Sequence, residues 1–203
     1  MDKTLKINKI HILLSLILLV IVFWQLWLQL PTARRDKLVW LKLNVVGIDS
    51  VNKVLLSPTE LPARSSTTLT FEIVPKENFA VGAGIILNIP WTFLMSTKSW
   101  TQPQSRDSSI AGFVTVSSTD PETEISTVIY RDAYNYRVSI RFGASPPEIG
   151  DTIRVIYGDT ILSGSGSVLS HVNAANYNFN IFIDRKNINE YLEIYPIPKL
   201  KIT

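Results

Sequence analysis

The segment PEIGDTIRVIYGD, residues 147–159, holds the acidic residues whose spacing could most readily serve a chemical site. Asp151 and Asp159 each follow a glycine, and two carboxylates brought together are ligands that a hard cation such as Ca²⁺ accepts. The same residues suit a strand, because Gly150 permits a tight turn and apolar residues largely alternate with polar ones over 152–157. We therefore predict a β-strand bounded by two Gly-Asp turns, and no metal site.

A nucleophilic or histidine-based site is the second chemical possibility. His171 follows a Gly/Ser turn and could be grouped with Ser165 or Ser167 and with Asp159, but the chain has no G-x-S-x-G elbow. The other histidine, His11, borders an apolar segment, so a zinc site lacks the several N, O or S ligands it needs. Cysteine is absent, which excludes disulfides, thiolate metal sites and a Cys nucleophile. We expect no catalytic residue, no metal and no cofactor.

One connection, PWTFLMSTKSWTQPQ at residues 90–104, is predicted to be a partner contact or a core plug. It carries Trp91, Phe93, Met95 and Trp100. Large rigid rings bury area at low entropy cost, so they can stack on sugars or anchor a protein interface. Alternatively, the two tryptophans close the open end of the domain. The sequence leaves both interpretations open.

The elements that must position these residues are strands. Apolar residues at 136, 138, 140 and 142 alternate with polar ones, as expected for a strand with one buried face. Further strands are predicted at 38–46, 68–73, 84–89, 112–117, 125–130, 152–157, 176–183 and 191–195. About nine short strands separated by turn clusters predict an all-β fold, an Ig-like antiparallel β-sandwich, with a closed barrel as the alternative.

An uncharged apolar segment precedes the strands. Residues 12–30 contain no charge and, at roughly 1.5 Å per helical residue, would span close to 30 Å, the thickness of a bilayer's hydrocarbon core. Trp24 and Trp27 lie towards one end and Arg34 and Arg35 follow it, as interfacial anchors do. The residues after it form a poor cleavage context for a signal peptide. We predict an uncleaved transmembrane helix.

The chain therefore divides into a polar head at 1–11, the helix at 12–30, a juxtamembrane linker with the start of the first strand at 31–42, and a β-sandwich domain at 43–203. The overall charge of +3 comes from the first 42 residues, so the domain itself is slightly acidic. A nucleic-acid interface, which needs a basic face, is not expected. Basic residues flank the helix on both sides almost equally, and the short polar head favours an extracytoplasmic domain.

A series of motifs in the second half of the chain carries a family resemblance. EIGDTIRVIYGD is followed by SGSGS, YNFNIFID and YLEIYPIPKLKI, and preceded by FAVGAGIILNIPW and WTQPQSRDSSIAGFVTV. In that order these segments resemble the N-terminal β-sandwich module of the DUF3604 family, over about residues 66–200. In that family the module precedes a PHP-like metal-dependent hydrolase domain. The family's metal ligands lie beyond the module, so the resemblance implies no ligand set here.

These observations predict a single-pass membrane protein with an extracytoplasmic, non-catalytic binding or assembly domain, an accessory subunit of a membrane or envelope complex. Its expected partners are the lipid bilayer and other proteins, contacted through the helix and through the 90–104 connection or an exposed sheet edge. A small-molecule ligand is not expected. The alternatives are a docking module for a separately encoded PHP-like hydrolase and a carbohydrate-binding module that uses Trp91 and Trp100.

Overall fold

The computed structural model describes residues 43–63, 65–90, 101–131, 135–161, 166–168 and 175–203, with the backbone alone at 93–94, 97–98, 167–168 and 175. These residues belong to the compact unit Lys42–Thr203. The predicted helix at 12–30 lies outside the described residues, as do Trp24, Trp27, Arg34 and Arg35. Among the residues that are described, no helix is long and apolar enough to cross a bilayer.

The regular elements of the described residues are all strands, which confirms the prediction of an all-β fold. In chain order they are β1 (Val45–Asp49), β2 (Lys53–Ser57), β3 (Glu60–Leu61), β4 (Ser66–Thr67), β5 (Leu69–Val74), β6 (Gly84–Pro90), β7 (Phe93–Leu94), β8 (Thr97–Lys98), β9 (Val114–Ser118), β10 (Ile125–Arg131), β11 (Asn135–Phe142), β12 (Ile153–Tyr157), β13 (Ser167–Val168), β14 (Ala175–Asn178), β15 (Ile181–Asp184), β16 (Tyr191–Ile194) and β17 (Lys199–Ile202).

Two large sheets share one hydrophobic core. The six-stranded sheet has the order β1-β16-β15-β6-β11-β10, and the four-stranded sheet has the order β2-β5-β12-β9. A three-stranded sheet, β14-β17-β3, contributes Leu200 and Ile202 to the same core. Inward residues of both large sheets, such as Ile140 and Phe71, are fully buried in that single cluster. The arrangement is consistent with a β-sandwich.

The central strand β6 is buried on both of its faces. Ile85 and Leu87 point into the main core, whereas Ile86 packs on the opposite face with Phe182 and Tyr191. This second, smaller cluster explains why β6 carries three consecutive apolar residues, Ile85–Leu87, where a strand wet on one face would alternate. The outer face of the six-stranded sheet is therefore partly apolar.

The pairing differs from the prediction in three respects. β1 pairs with β16 in parallel, and β17 pairs with β3 in parallel, so the sheets are not purely antiparallel. The run 176–183, predicted as one strand, forms β14 and β15 in different sheets, because Phe179 donates its amide to Pro198 and Asn180 offers its carbonyl to Asn88. Seven strands of the described residues were not predicted: β2 in the four-stranded sheet, β3 and β17 in the three-stranded sheet, and the two-residue strands β4, β7, β8 and β13.

Candidate functional site

The most distinctive surface of the described residues is the free edge of β1, at one end of the six-stranded sheet. Val45, Val46 and Ile48 expose 45, 53 and 67% of their surface there. Folded proteins usually protect such an edge with a charged side chain, a proline, a β-bulge or a covering segment, because its unpaired N–H and C=O groups invite another strand. The run Val45–Ile48 carries no charge and no proline. We call this surface, the side of β1 that faces away from β16, the β1 edge.

A β-bulge redirects one of these side chains. Val45 lies opposite Tyr191 on β16, but the next partner, Leu192, lies opposite Gly47, so Val46 is an extra residue in the pairing. A bulge of this kind bends the strand and turns a side chain out of the regular alternation. Val46 accordingly lines a cavity beside the strand.

That cavity has a volume of about 620 Å³ and lies over β1, β16 and β15, where Val46, Leu192 and Ile183 line it. Buried Phe79 and Ile183 contribute to its wall, and exposed Ile188 joins Val46 at its apolar surface. Its charged lining includes a lysine and two glutamates, Lys186, Glu77 and Glu190. The volume lies within the range of about 300–1,000 Å³ that is common for binding pockets.

A buried carboxylate holds the end of β1 in place. Asp49 is 2% exposed, and its Oδ1 accepts hydrogen bonds of 2.9 Å from the amides of Val51 and Asn52. Asn52 donates a third bond to Oδ2, at 2.7 Å. Arg185 lies 3.8 Å from the same oxygen and also pairs with Glu77. The turn from β1 to β2 and the cavity wall thus share one polar network.

This network changes the acidity of Asp49. Burial alone would raise the pKa of its carboxyl, but the hydrogen bonds from Asn52 and Val51, together with the positive charge of Arg185, hold the pKa below its ordinary value. The side chain is therefore an anion that the fold stabilises, positioned to fix a turn. Its partners Val51, Asn52 and Arg185 belong to the same domain, so these contacts give Asp49 a structural role.

A second network crosses the outer face of the six-stranded sheet. Arg141 on β11 donates a 2.8 Å hydrogen bond to Tyr191 Oη on β16, although β6 and β15 lie between these strands. The guanidinium also lies 3.6 Å from the fully buried Asp184. It can span the sheet because Gly84, opposite Arg141 on β6, has no side chain in the way. Burial raises the pKa of Tyr191, so its hydroxyl remains neutral.

The structure confirms the strand interpretation of the Gly-Asp segment, which forms β12 between its two turns. Asp151 accepts a 2.7 Å bond from the amide of Glu148, and Asp159 accepts bonds from Thr115 Oγ1 at 2.5 Å and from the amide of Ile161 at 2.9 Å. The two aspartates cap opposite ends of β12 and are not brought together. Among the described residues, no cluster of three or more His, Cys, Asp or Glu could hold a metal ion.

The predicted partner contact in the 90–104 connection stays a prediction. Trp91, Met95 and Trp100 lie outside the described residues, and Phe93 lies in β7, where the backbone alone is described. The end of this connection and the two residues after it, residues 102–106, line a cavity of about 250 Å³ together with Tyr130 and Tyr136. His171 and Ser165 also lie outside the described residues, so the structure does not test their grouping.

No protein-family model and no curated protein matches this chain. Two solved structures are similar in backbone course. A non-cellulosomal cohesin from the hyperthermophilic archaeon Archaeoglobus fulgidus is 10% identical, with 76% of this chain and 92% of the cohesin covered at a TM-score of 0.40. AvmM, which catalyses macrocyclization in alchivemycin A biosynthesis, is 8% identical, with 79% and 89% covered at a TM-score of 0.37. Similarities this distant assign neither a family nor a function.

Proposed function

We propose that this chain is a single-pass, membrane-anchored binding and assembly module, a non-catalytic accessory subunit that displays an Ig-like β-sandwich outside the cytoplasm. The observation that carries the proposal is the β1 edge, where Val45, Val46 and Ile48 are exposed on an uncharged strand at the end of a sheet. A partner's extended segment can add to such an edge through backbone hydrogen bonds, while pockets beside the strand select its side chains.

The membrane anchor in this proposal rests on the sequence. Residues 12–30 are long and apolar enough to span a bilayer, and interfacial residues flank them. The DUF3604 resemblance supports a sandwich module that works beside other domains or chains. A separately encoded PHP-like hydrolase is accordingly one partner that the β1 edge could receive.

The test compares two lysine substitutions on opposite sheets. Val46→Lys places a charge on the β1 edge, whereas Leu55→Lys places the same charge on β2, an edge strand of the four-stranded sheet, where Leu55 is 60% exposed. The tagged full chain and both tagged variants are purified from native membranes in mild detergent. An untagged chain is taken through the same purification in parallel. We expect at least one protein to accompany the wild type and Leu55→Lys and to be lost with Val46→Lys, because an edge lysine opposes strand addition.

Two outcomes would contradict the proposal. Either the same proteins accompany all three forms, or the wild type is recovered alone and as a monomer. Recovery of a metal-dependent hydrolase that depends on Val46 would identify the β1 edge as its docking surface. Circular dichroism of each variant checks that the fold is intact, which we expect because both side chains are already exposed.

A further inference from the structure

We infer that the β1 edge receives a second copy of this chain, so that two β1 strands pair antiparallel about a two-fold axis and two six-stranded sheets join into one. This inference rests on the proposed function, because it names the partner of the same edge. A two-fold interface uses one patch on both subunits, so that patch must be complementary to itself. Three features of the β1 edge meet this requirement.

The first feature is the absence of charge along the strand. In an antiparallel pair, each residue lies opposite another across the joint, and like charges placed there are destabilising. Val45–Ile48 has no charged side chain, so no register of self-pairing brings like charges together. The strand's acidic residue, Asp49, is buried and fully engaged with Val51, Asn52 and Arg185.

The second feature is the contrast with the other edges of the two large sheets. β10 ends its sheet with one large exposed apolar side chain, Val128, and carries a terminal arginine. β2 also has one large exposed apolar side chain, Leu55, and begins with a lysine. β9 has no large exposed apolar side chain. Among these four edges, β1 alone presents three exposed apolar side chains. Apolar area removed from water is the main favourable term in association.

The third feature is the balance of charge in the cavity that Val46 lines. The cavity next to Val46 has both Lys186 and Glu190 in its lining, and both are exposed. When a patch meets its own copy, a single sign of charge would repel, whereas both signs together allow complementary contacts. Exposed Ile188 adds to the apolar part of the same lining.

The bulge at Val46 adds specificity to this arrangement. A short uncharged strand can slip in register, since no side chain penalises the shift. A bulge at a fixed position limits the regular run that can pair and so pins the register. We therefore expect one defined dimer.

The experiment uses the absence of cysteine from the chain, so that each introduced thiol is unique. Val45→Cys, Val46→Cys and Ile48→Cys are oxidised in the full chain in native membranes. Leu55→Cys and Val128→Cys, with 60 and 56% exposure, are the controls on other edges. We expect a covalent dimer at one or more β1 positions, at least about tenfold more abundant than at either control, because a disulfide needs Cα atoms within roughly 7 Å.

Equal cross-linking at Leu55 and Val128, or no dimer at any β1 position, would overturn the inference. A companion experiment co-expresses tagged and untagged chains. Recovery of the untagged copy with wild type but not with Val46→Lys supports pairing through β1, and undiminished recovery with Val46→Lys refutes it. If a different protein depends on Val46 while no untagged copy is recovered, the second copy is wrong and the proposed function stands. If Val46→Lys changes the recovery of no protein, neither of the untagged copy nor of any other, both the inferred dimer and the proposed function are wrong.

Discussion

Asn52 Nδ2 donates a 2.7 Å hydrogen bond to Asp49 Oδ2, and this bond ties the last residue of β1 to the turn that leads into β2. Asn52 Oδ1 in turn accepts a 2.7 Å bond from the amide of Lys76, just beyond β5. The end of the β1 edge is therefore fastened to both large sheets. A surface held in its bound conformation loses less entropy when a partner docks.

Replacing the buried carboxylate tests this fastening. We expect Asp49→Asn to destabilise the fold by about 1–3 kcal/mol near neutral pH, because it removes a charged acceptor and places an amide against the Asn52 side chain. Guanidinium unfolding of the full chain in mild detergent, followed by circular dichroism, measures the change. The control is Glu122→Gln in an exposed turn, where a change within about 0.5 kcal/mol is expected.

The comparison of wild type with Asp49→Asn also gives a prediction about pH. Because the pKa of Asp49 is lower in the fold than its ordinary value of 3.8, its ionisation stabilises the fold above that value, and the contribution is lost as pH falls through the folded pKa. The stability difference between wild type and Asp49→Asn should therefore narrow as the pH is lowered from about 7 to about 2. A difference that stays constant over this range would show that the charge of Asp49 contributes nothing.

Gly84 is expected to be intolerant of a side chain. A Cβ there would collide with the carbonyl oxygen of Ile140 and would come within 2.8 Å of Arg141 Cδ. We expect Gly84→Ala to cost about 1–3 kcal/mol through overpacking. Gly47→Ala is the matched control, because its Cβ would meet only the flexible end of Leu192 at 3.3 Å. Equal unfolding midpoints for the two variants would contradict this explanation.

The hydrogen bond between Arg141 and Tyr191 should make a modest contribution to the free energy of unfolding. Tyr191→Phe removes the hydroxyl that accepts the 2.8 Å bond and keeps the ring that packs on Ile86 and Phe182. We expect a loss of about 0.5–1.5 kcal/mol in the free energy of unfolding. Tyr195→Phe, at an exposed position, provides the comparison and should change little. An unchanged free energy of unfolding in Tyr191→Phe would mean that Arg141 is satisfied without the Tyr191 hydroxyl.

The shared core predicts that one ring stabilises more than one sheet. Phe71 of β5 meets Phe179, which precedes β15, edge to face with centroids 5.0 Å apart. We expect Phe71→Ala to cost about 3–5 kcal/mol and to lower the stability of all sheets in one cooperative transition. Separate unfolding of the four-stranded sheet, seen as a second transition, would contradict a common core.

The alternation of side chains was enough to predict most of the large strands. β5, β11 and β12 each bury one set of alternate residues against a common core, so a period of two marked them directly. Parallel pairing of β1 with β16 could not be read in this way, because alternation fixes which face a residue occupies and not which strand lies beside it. The break of 176–183 into two strands likewise depends on hydrogen bonds to distant residues, Asn88 and Pro198.

The candidate site was harder to predict than the fold. An exposed sheet edge was expected as one possible contact, but the residues that form it were not identified. The signal lies in Val45–Ile48, an apolar run without a charged or proline residue to protect it. Whether this run is an edge depends on its place in the sheet order, which only the pairing reveals. The bulge at Val46 and the cavity beside it are also products of the tertiary arrangement.

Hydrogen exchange along β1 tests the central claim most directly. The wild type and Val46→Lys are each extracted from native membranes with their partners. Amide exchange of residues 45–49 is compared between the two proteins, and Lys53–Ser57 of β2 serves as the internal reference. If the β1 edge is the docking surface, the native assembly should protect β1 at least about tenfold more than the variant does, while β2 exchanges alike in both. Equal exchange of β1 in the two proteins would contradict the account.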